Sequence, residues 1–386
     1  MSLVFLQLAD LHLGARLVNL PGEIAEHLRN ATREIVVEAF ASARQQSADL
    51  VLMPGDLFEQ NGIDASGQLH FIYELAASIA PVPVVIAPGN HDPYSSESPY
   101  ASIGKPSNVV LFTSSEFQLM DTPVCPIAGR AFRSGEFGSM LDWSCLPPAP
   151  SGISILMMHA SVMNAGDGRQ RDSAILPVTT SALEQSGYTY CALGHYHTFQ
   201  QFSRQKDGPA YAGYSGCPQG MGWDELGERG YVIGKLREIG ADLQYRPASR
   251  FAWQKHLLQL PPWQGNESWN VLQTRLDLIA SELQERELLR IDINGRWPAT
   301  EKEGLRERIR KLLAKAWYAR EIDWNETAFT PPLAPRGVSP LLDEFLDECE
   351  KHIDEALEEG VKETWRLARY LGHRLLSGQD LPEELV

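Results

Sequence analysis

Cysteine is scarce in this chain and never paired in spacing. Cys125, Cys145, Cys191, Cys217 and Cys349 are scattered over 386 residues, which excludes a disulfide framework and a thiolate zinc site. Long apolar runs are also missing; none approaches the roughly 20 residues that a bilayer requires, so no membrane span is expected. The apolar start, Met1 to Ala9, has no basic flank and runs straight into Asp10. It reads as a first strand and not as a secretory leader, and with the unpaired cysteines it points to a reducing, cytoplasmic setting. An excess of basic residues is lacking too: the formal net charge is −16. A protein that binds nucleic acid unaided is usually basic on at least one face. The ligand is therefore small, or bound cations or a partner supply the attraction.

What is present is a series of short apolar runs, each ending in metal-binding residue types. Val4 to Leu8 leads into Asp10-Leu11-His12, whose first and third residues share one side of an extended segment. Leu50 to Met53 ends at Gly55-Asp56-Leu57-Phe58, and Val82 to Ala87 ends at Gly89-Asn90-His91-Asp92. Ile153 to Met158 ends at His159, and Tyr188 to Leu193 ends at Gly194-His195-Tyr196-His197. Between the first three runs, apolar residues recur at helical spacing over Glu23–Gln46 and Leu69–Ile79. The βαβαβ order predicts an α/β core with a mainly parallel sheet, whose ligands collect beyond the carboxyl ends of the strands. Later runs (Phe199–Ser203, Ala210–Ala212, Gly230–Leu236, Ala241–Tyr245) predict a second sheet, giving a two-sheet sandwich flanked by helices.

Asp10, His12, Asp56, Asn90, His159, His195 and His197 are the candidate metal ligands. Seven are too many for one catalytic ion, which needs about three plus water, but they suit two ions about 3.5–4 Å apart. Asp56, on a central strand, is the natural bridge. Only two carboxylates offset the ions, so the centre stays positive and attracts a phosphate ester. Imidazole and oxygen ligands without thiolate fit Mn²⁺, Fe or Zn²⁺. His91 is assigned to substrate, either protonating a leaving alkoxide or stabilising developing charge. Glu59 could orient that imidazole, with Asp92 as competitor. Arg169 and Arg171 could rim the site and touch phosphates, or belong to a solvated loop. The tryptophans Trp253, Trp263, Trp269, Trp297, Trp317 and Trp324 could stack bases, although core packing is the commoner use.

Taken in order, Asp10-Leu11-His12, Gly55-Asp56, Gly89-Asn90-His91-Asp92, His159 and Gly194-His195-Tyr196-His197 resemble the motifs of the calcineurin-like metallophosphoesterases. Asp10-Leu-His-Leu-Gly14 and Gly55-Asp-Leu-Phe58 are further similar to SbcD-type DNA repair exonucleases, including the YhaO-like branch. The resemblance implies Asp10, His12, Asp56 and His197 on one Mn²⁺, and Asp56, Asn90, His159 and His195 on the other. It makes His91 the catalytic histidine, and puts Glu59 where that family often has His or Asp. It also implies an SMC-like ATPase partner of the SbcC type, reached through C-terminal helices, and a homodimer.

Three domains are expected. Residues 1–246 form the phosphoesterase (nuclease) domain, 247–330 a small α+β capping domain, and 331–386 a proline-rich linker with an acidic helical tail that binds a partner. The function these features favour is a Mn²⁺-dependent DNA phosphodiesterase, a repair exonuclease or endonuclease subunit. Two other readings stand beside it: a phosphodiesterase of nucleotides or other small diesters, and a scaffold for an ATPase.

Overall fold

The computed structural model describes residues 2–136, 141–163, 175–319, 329–330, 339–356 and 359–376. The chain divides into two compact units, Met1–Trp253 and Gln254–Val386. The first unit is built on strands β1 (Leu3–Gln7), β2 (Leu50–Met53), β3 (Val84–Ile86), β4 (Val109–Leu111), β5 (Gln118–Asp121), β6 (Pro126–Gly129) and β7 (Ile155–His159). The short strands β8 (Val162–Met163) and β9 (Val178–Thr179) pair with each other. β10 (Tyr190–Gly194), β11 (Gln200–Ser203), β12 (Ala210–Tyr214), β13 (Gly230–Arg237) and β14 (Gly240–Pro247) complete the unit. Its helices are α1 (Gly22–Gln45), α2 (Ala65–Ser78) and the short α3 (Pro99–Ser102) and α4 (Thr180–Gln185).

Side chains alternate along these strands, and the alternation sorts the core into layers. Val51 and Met53 of β2, with Leu6 of β1, pack against the buried face of the crossover helix α1, at Ile35, Ala39 and Phe40. Their neighbours Phe5, Leu50 and Leu52 point the other way and meet Ile155, Met157, Tyr190 and Ala192 of the second half. On the far face Leu156, Met158, Cys191 and Leu193 are covered by Leu183 of α4 and by Ile175 and Leu176. The result is helix, sheet, sheet, helix, with each buried Leu, Ile or Phe stabilising by about 1.5–3 kcal/mol relative to exposure.

The two halves expected from the sequence are joined in one hydrogen-bonded ladder, in the order β4-β3-β2-β1-β13-β14-β12-β10-β7-β6-β5, with β11 beside β12. The join arises because β13 runs antiparallel along β1 (Val4 opposite Lys235) while its hairpin partner β14 touches β12 at Ala210–Ala241. No local pattern announces that pairing. β1 to β4 are mutually parallel, as are β6, β7, β10 and β12, which aligns the strand ends within each half, and the bond from His195 N–H to Asp10 brings the two groups of ends together. Helix α2 starts four residues earlier than its apolar stripe, because Asp64 caps it by accepting from the Gly67 N–H at 3.1 Å.

One buried side chain ties the halves together just beneath the site. Gln7, fully buried, donates from Nε2 to the carbonyls of Leu193 (3.1 Å) and Gly213 (2.9 Å), and accepts from Tyr190 Oη at 2.7 Å. Gln7→Leu keeps the volume but strands these groups in the core. Urea unfolding should show a loss of about 3 kcal/mol, the cost of leaving buried polar groups unpaired; an unchanged midpoint would mean that the halves hold without it.

The second unit has its own core. β15 (Ala252–Gln259), which begins at the end of the first unit, β16 (Glu287–Asn294) and β18 (Tyr318–Ala319) form a sheet, with β17 (Trp297–Pro298) and β19 (Phe329–Thr330) a separate pair. Leu258, Leu289 and Ile291 pack with Leu272 and Leu276 of α5 (Asn266–Glu282) and Leu305 and Ile309 of α6 (Lys302–Leu313). Trp263, Trp269 and Trp297 meet edge to face, with Trp297 Nε1 donating to the Pro261 carbonyl. Trp253, in the first unit, is equally buried. Trp253 and Trp297 are thus core residues and have no face to offer a base; Trp324 lies outside the described residues. α7 (Pro340–Glu355) and α8 (Glu359–Leu376) pack together through Leu342, Leu346, Cys349 and Tyr370, with His352 stacked on Trp365. Leu341, Val361, Leu375 and Leu376 remain exposed.

Candidate metal centre

The five strand ends converge through unusual backbone. Asp10 (φ 54°), His12 (φ 45°), Asp56 (φ 54°) and His195 (φ 113°) all have positive φ, a region costly for residues with a Cβ. The turns are held by backbone bonds that carry the ladder beyond the strands. Leu11 and His12 N–H both donate to the Asp56 carbonyl, at 2.8 and 3.0 Å, and Asp10 N–H to that of Gly55 at 3.1 Å. The glycines preceding the ligands are required by close approach. A Cβ on Gly194 would lie 1.9 Å from the Pro54 carbonyl oxygen, and one on Gly55 (φ 92°) 2.6 Å from His159 Nδ1.

Each of three imidazoles is anchored at Nδ1, which turns Nε2 inward. His12 Nδ1 lies 2.8 Å from Glu59 Oε1, His159 Nδ1 donates to the Pro54 carbonyl at 3.0 Å, and His197 Nδ1 is bonded to Glu225. The inward nitrogens then face other candidate ligand atoms. His12 Nε2 and His197 Nε2 are 3.0 Å apart. His159 Nε2 is 2.9 Å from Asn90 Oδ1 and 3.2 Å from Asp56 Oδ2. That same Asp56 oxygen is 3.8 Å from His12 Nε2, so it stands between the two groups. Asp10 Oδ2 is buried with no hydrogen-bond partner among the described residues, while its Oδ1 accepts from His195 N–H at 2.9 Å.

Imidazole nitrogens crowded against one another and against acceptors, beside an orphaned buried carboxylate oxygen, are satisfied by protons on the rings or by cations among them. Asp10, His12 and His197 bring ligand atoms within 4.8 Å of one another, and so do Asp10, Asp56 and His159. These residues fit two divalent ions. The electrostatics agree. Burial would lower the pKa of His159, but the charge and hydrogen bond of Asp56, then Asp10, outweigh it and bring it up to about 9. Burial would likewise lower His197, yet Glu225 and then Asp10 raise it to about 9. Burial pushes Asp56 up, but His159, His12 and His91 hold it well below the usual carboxylate range. The negative potential that favours protons on these buried rings would equally favour cations in their place. His195 differs. Burial, followed by the charge of His159, pushes it down to about 3, and its ring stands edge-on to His159 at 5.4 Å between centroids.

His91 borders the centre with its side chain 44% exposed. Its Nδ1 lies 3.0 Å from Glu59, which thus reaches both His12 and His91. Asp92 has a different task from the one considered for it. Fully buried, it accepts from the N–H groups of Asp56 (3.0 Å), Leu57 (2.8 Å) and Gly89 (2.7 Å), and from Tyr100 Oη (2.7 Å). It fastens the Asp56 turn to the Asn90 turn and leaves the His91 ring to Glu59. Arg169 and Arg171 lie outside the described residues.

Glu225 is the participant that the sequence reading missed. It follows no apolar run; it sits in a turn after Trp223, held by the Met221 N–H at 2.7 Å. Buried Arg229 supports the same corner by donating to the carbonyls of His197 and Leu226, at 2.8 and 3.0 Å. Glu225→Gln should weaken metal binding about 10- to 100-fold, as loss of such an anchoring carboxylate does. Metal titration followed by calorimetry checks it, and unchanged affinity would make Glu225 a structural residue only.

A family model described as calcineurin-like phosphoesterase matches residues 3–199, more than half of the chain, and ends just past His197. The chain belongs to the calcineurin-like phosphoesterases. Its fold is mixed α/β, with a large sheet and flanking helices. A relative, "Uncharacterized metallophosphoesterase YhaO" of Bacillus subtilis (strain 168), is 25% identical over 264 residues, which is 66% of this chain and 62% of that protein. The chain therefore spans less than two thirds of that relative's length. Among solved structures, the purple acid phosphatase PPD1 of yellow lupin seeds has a TM-score of 0.38 at 13% identity, covering 64% of this chain and 52% of that one. TT1561 of Thermus thermophilus has the same TM-score of 0.38 at 12% identity, covering 64% of this chain and 99% of that one. No helix among the described residues is long and apolar enough to cross a membrane.

Proposed function

We propose that this phosphoesterase is a two-metal phosphodiesterase acting on DNA, with Mn²⁺ as its working ion and an SMC-like ATPase as its partner. The observation that carries the two-metal reading is the pair of close contacts between candidate ligand atoms, His12 with His197 and His159 with Asn90, set on either side of Asp56 Oδ2. Asp10, His12, Asp56 and His197 would hold one ion; Asp56, Asn90 and His159, with His195 beside them, would hold the other. The ions, when bound, supply positive charge to a phosphodiester and lower the pKa of water.

The chain's own residues do the rest. His91, held at Nδ1 by Glu59, presents Nε2 to the substrate and donates a proton or hydrogen bond to the departing oxygen. Glu59 accepts from that imidazole, which favours its protonated form, and fixes its plane. Asp92 maintains the spacing of the Asp56 and Asn90 turns, and Gln7 that of the two halves.

DNA as substrate rests on the resemblance of Asp10-Leu-His-Leu-Gly14 and Gly55-Asp-Leu-Phe58 to the SbcD-type exonucleases, and on a second unit that a small substrate would not need. The ATPase is proposed to dock on α7 and α8, whose exposed leucines and Val361 await a cover. The net charge of −16 favours the alternative, a small phosphodiester. The deciding assay sets end-labelled linear DNA beside bis-p-nitrophenyl phosphate with Mn²⁺, with and without the ATPase. Cleavage of both substrates supports the nuclease. Cleavage of the small diester alone, even with the ATPase present, moves the assignment to small phosphodiesters. Silence on both leaves a scaffold.

A further inference from the structure

Beside the metal centre, on the His12 side, lies a cavity of about 330 Å³ to which the proposed reaction gives no role. Its walls bring together His12, Met221, the α1 residues Arg29 and Arg33, and Asp64 and Gln68 at the start of α2. All belong to the first unit.

The charge of this wall departs from that of the chain. Acidic residues outnumber basic ones 50 to 34 overall, yet neither arginine here is ion-paired among the described residues. Arg29 gives one guanidinium N–H to the Ala15 carbonyl at a long 3.4 Å. Arg33 donates to Gln68 Oε1 at 2.6 Å and lies over the Phe71 ring at 3.8 Å, which fixes its plane. The two are four residues apart on α1, one above the other on the same face. The single carboxylate in the wall, Asp64, is engaged in capping α2. Half-buried guanidinium groups held in place by neutral partners form a prearranged fork for phosphate oxygens. The volume suits a phosphate with part of its sugar. His12, which borders the cavity, places it next to the reacting phosphate.

We propose that this cavity binds the phosphate next to the scissile one, so that the preferred substrate is a diester within a chain of diesters and not an isolated one. The proposal rests on the phosphodiesterase reading and deepens it by naming what lies beside the scissile bond. Arg29 is its principal contact; Arg33 also braces α1 against α2.

The test uses the full chain with Mn²⁺ and a trinucleotide carrying two phosphodiesters. Its two isomers each have one linkage replaced by a neutral methylphosphonate, and bis-p-nitrophenyl phosphate serves as the isolated diester. Wild type should cleave the parent with kcat/KM about tenfold or more above the better isomer, as a charge-assisted contact predicts. Arg29→Ala should remove most of that preference by slowing the parent alone, Arg29→Lys should restore part of it, and hydrolysis of bis-p-nitrophenyl phosphate should be unchanged in both. Equal rates on parent and isomers in wild type would overturn the subsite. So would an Arg29→Ala variant that slows all substrates alike. Inactivity of wild type on every substrate, the small diester included, would overturn the phosphodiesterase reading and the subsite with it.

Discussion

Replacing His91 with alanine is expected to lower kcat on bis-p-nitrophenyl phosphate by about 10²- to 10⁴-fold, the usual contribution of a positioned proton donor. Metal content should survive. The backbone N–H of His91, which bonds Asp56 Oδ1 at 2.8 Å, is kept by alanine, so the Asp56 carboxylate stays oriented. Activity and metal analysis on the same samples decide the matter. His91 also comes within ligating distance of His12 and Asp56. If the variant loses metal in step with activity, His91 is a ligand and not the donor. The pH profile adds a second readout. The hydrogen bond that His91 gives to Glu59, and then the charge of Asp56, raise the His91 pKa against the effect of burial. A donor must be protonated, so kcat should fall as pH rises through that raised value. Glu59→Gln removes its largest cause, and at saturating metal the alkaline limb should move to lower pH.

The second large effect is on stability. Asp92→Ala leaves the N–H groups of Asp56, Leu57 and Gly89 and the Tyr100 hydroxyl without their acceptor in a fully buried place. Each unpaired buried donor costs about 1–3 kcal/mol, less than additively when neighbours relax together. We expect a loss of about 4 kcal/mol in urea unfolding of the metal-free protein, a value large enough to indicate a buried polar network. Hydrogen exchange at the Asp56 and Leu57 amides should accelerate. Asp92→Asn, which keeps one acceptor oxygen, should fall between. Stability left intact while kcat collapses would return Asp92 to the role of orienting His91.

These two residues show where a sequence can and cannot be read. Asp92 and Glu59 were both carboxylates within reach of His91 along the chain, and their roles could not be separated there. Asp92 turns inward to three N–H groups of two different turns, and only folding brings those turns together. Glu59 extends to rings that stand 32 and 47 residues away in sequence. The candidate ligands were legible as strand ends because strand periodicity is local: an apolar run that stops at Gly-Asp, Gly-Asn-His or Gly-His marks the open end of a parallel strand. The α1 and α2 stripes were legible for the same reason, to within one residue in α1 and four at the start of α2.

The sequence by itself determined the α/β core, the strand ends and the seven candidate ligands with His91. Each depends on spacing within a dozen residues, which the backbone's own periods enforce. Tertiary structure alone decided what depends on pairing between distant segments. It set β13 along β1, placed Gln7 under Leu193 and Gly213, and brought Glu225 to His197 from a turn without any pattern. It also exposed a pair of arginines on one turn of α1 to a cavity beside His12. Such contacts are fixed by how the layers stack, and a linear pattern carries no record of which faces will meet.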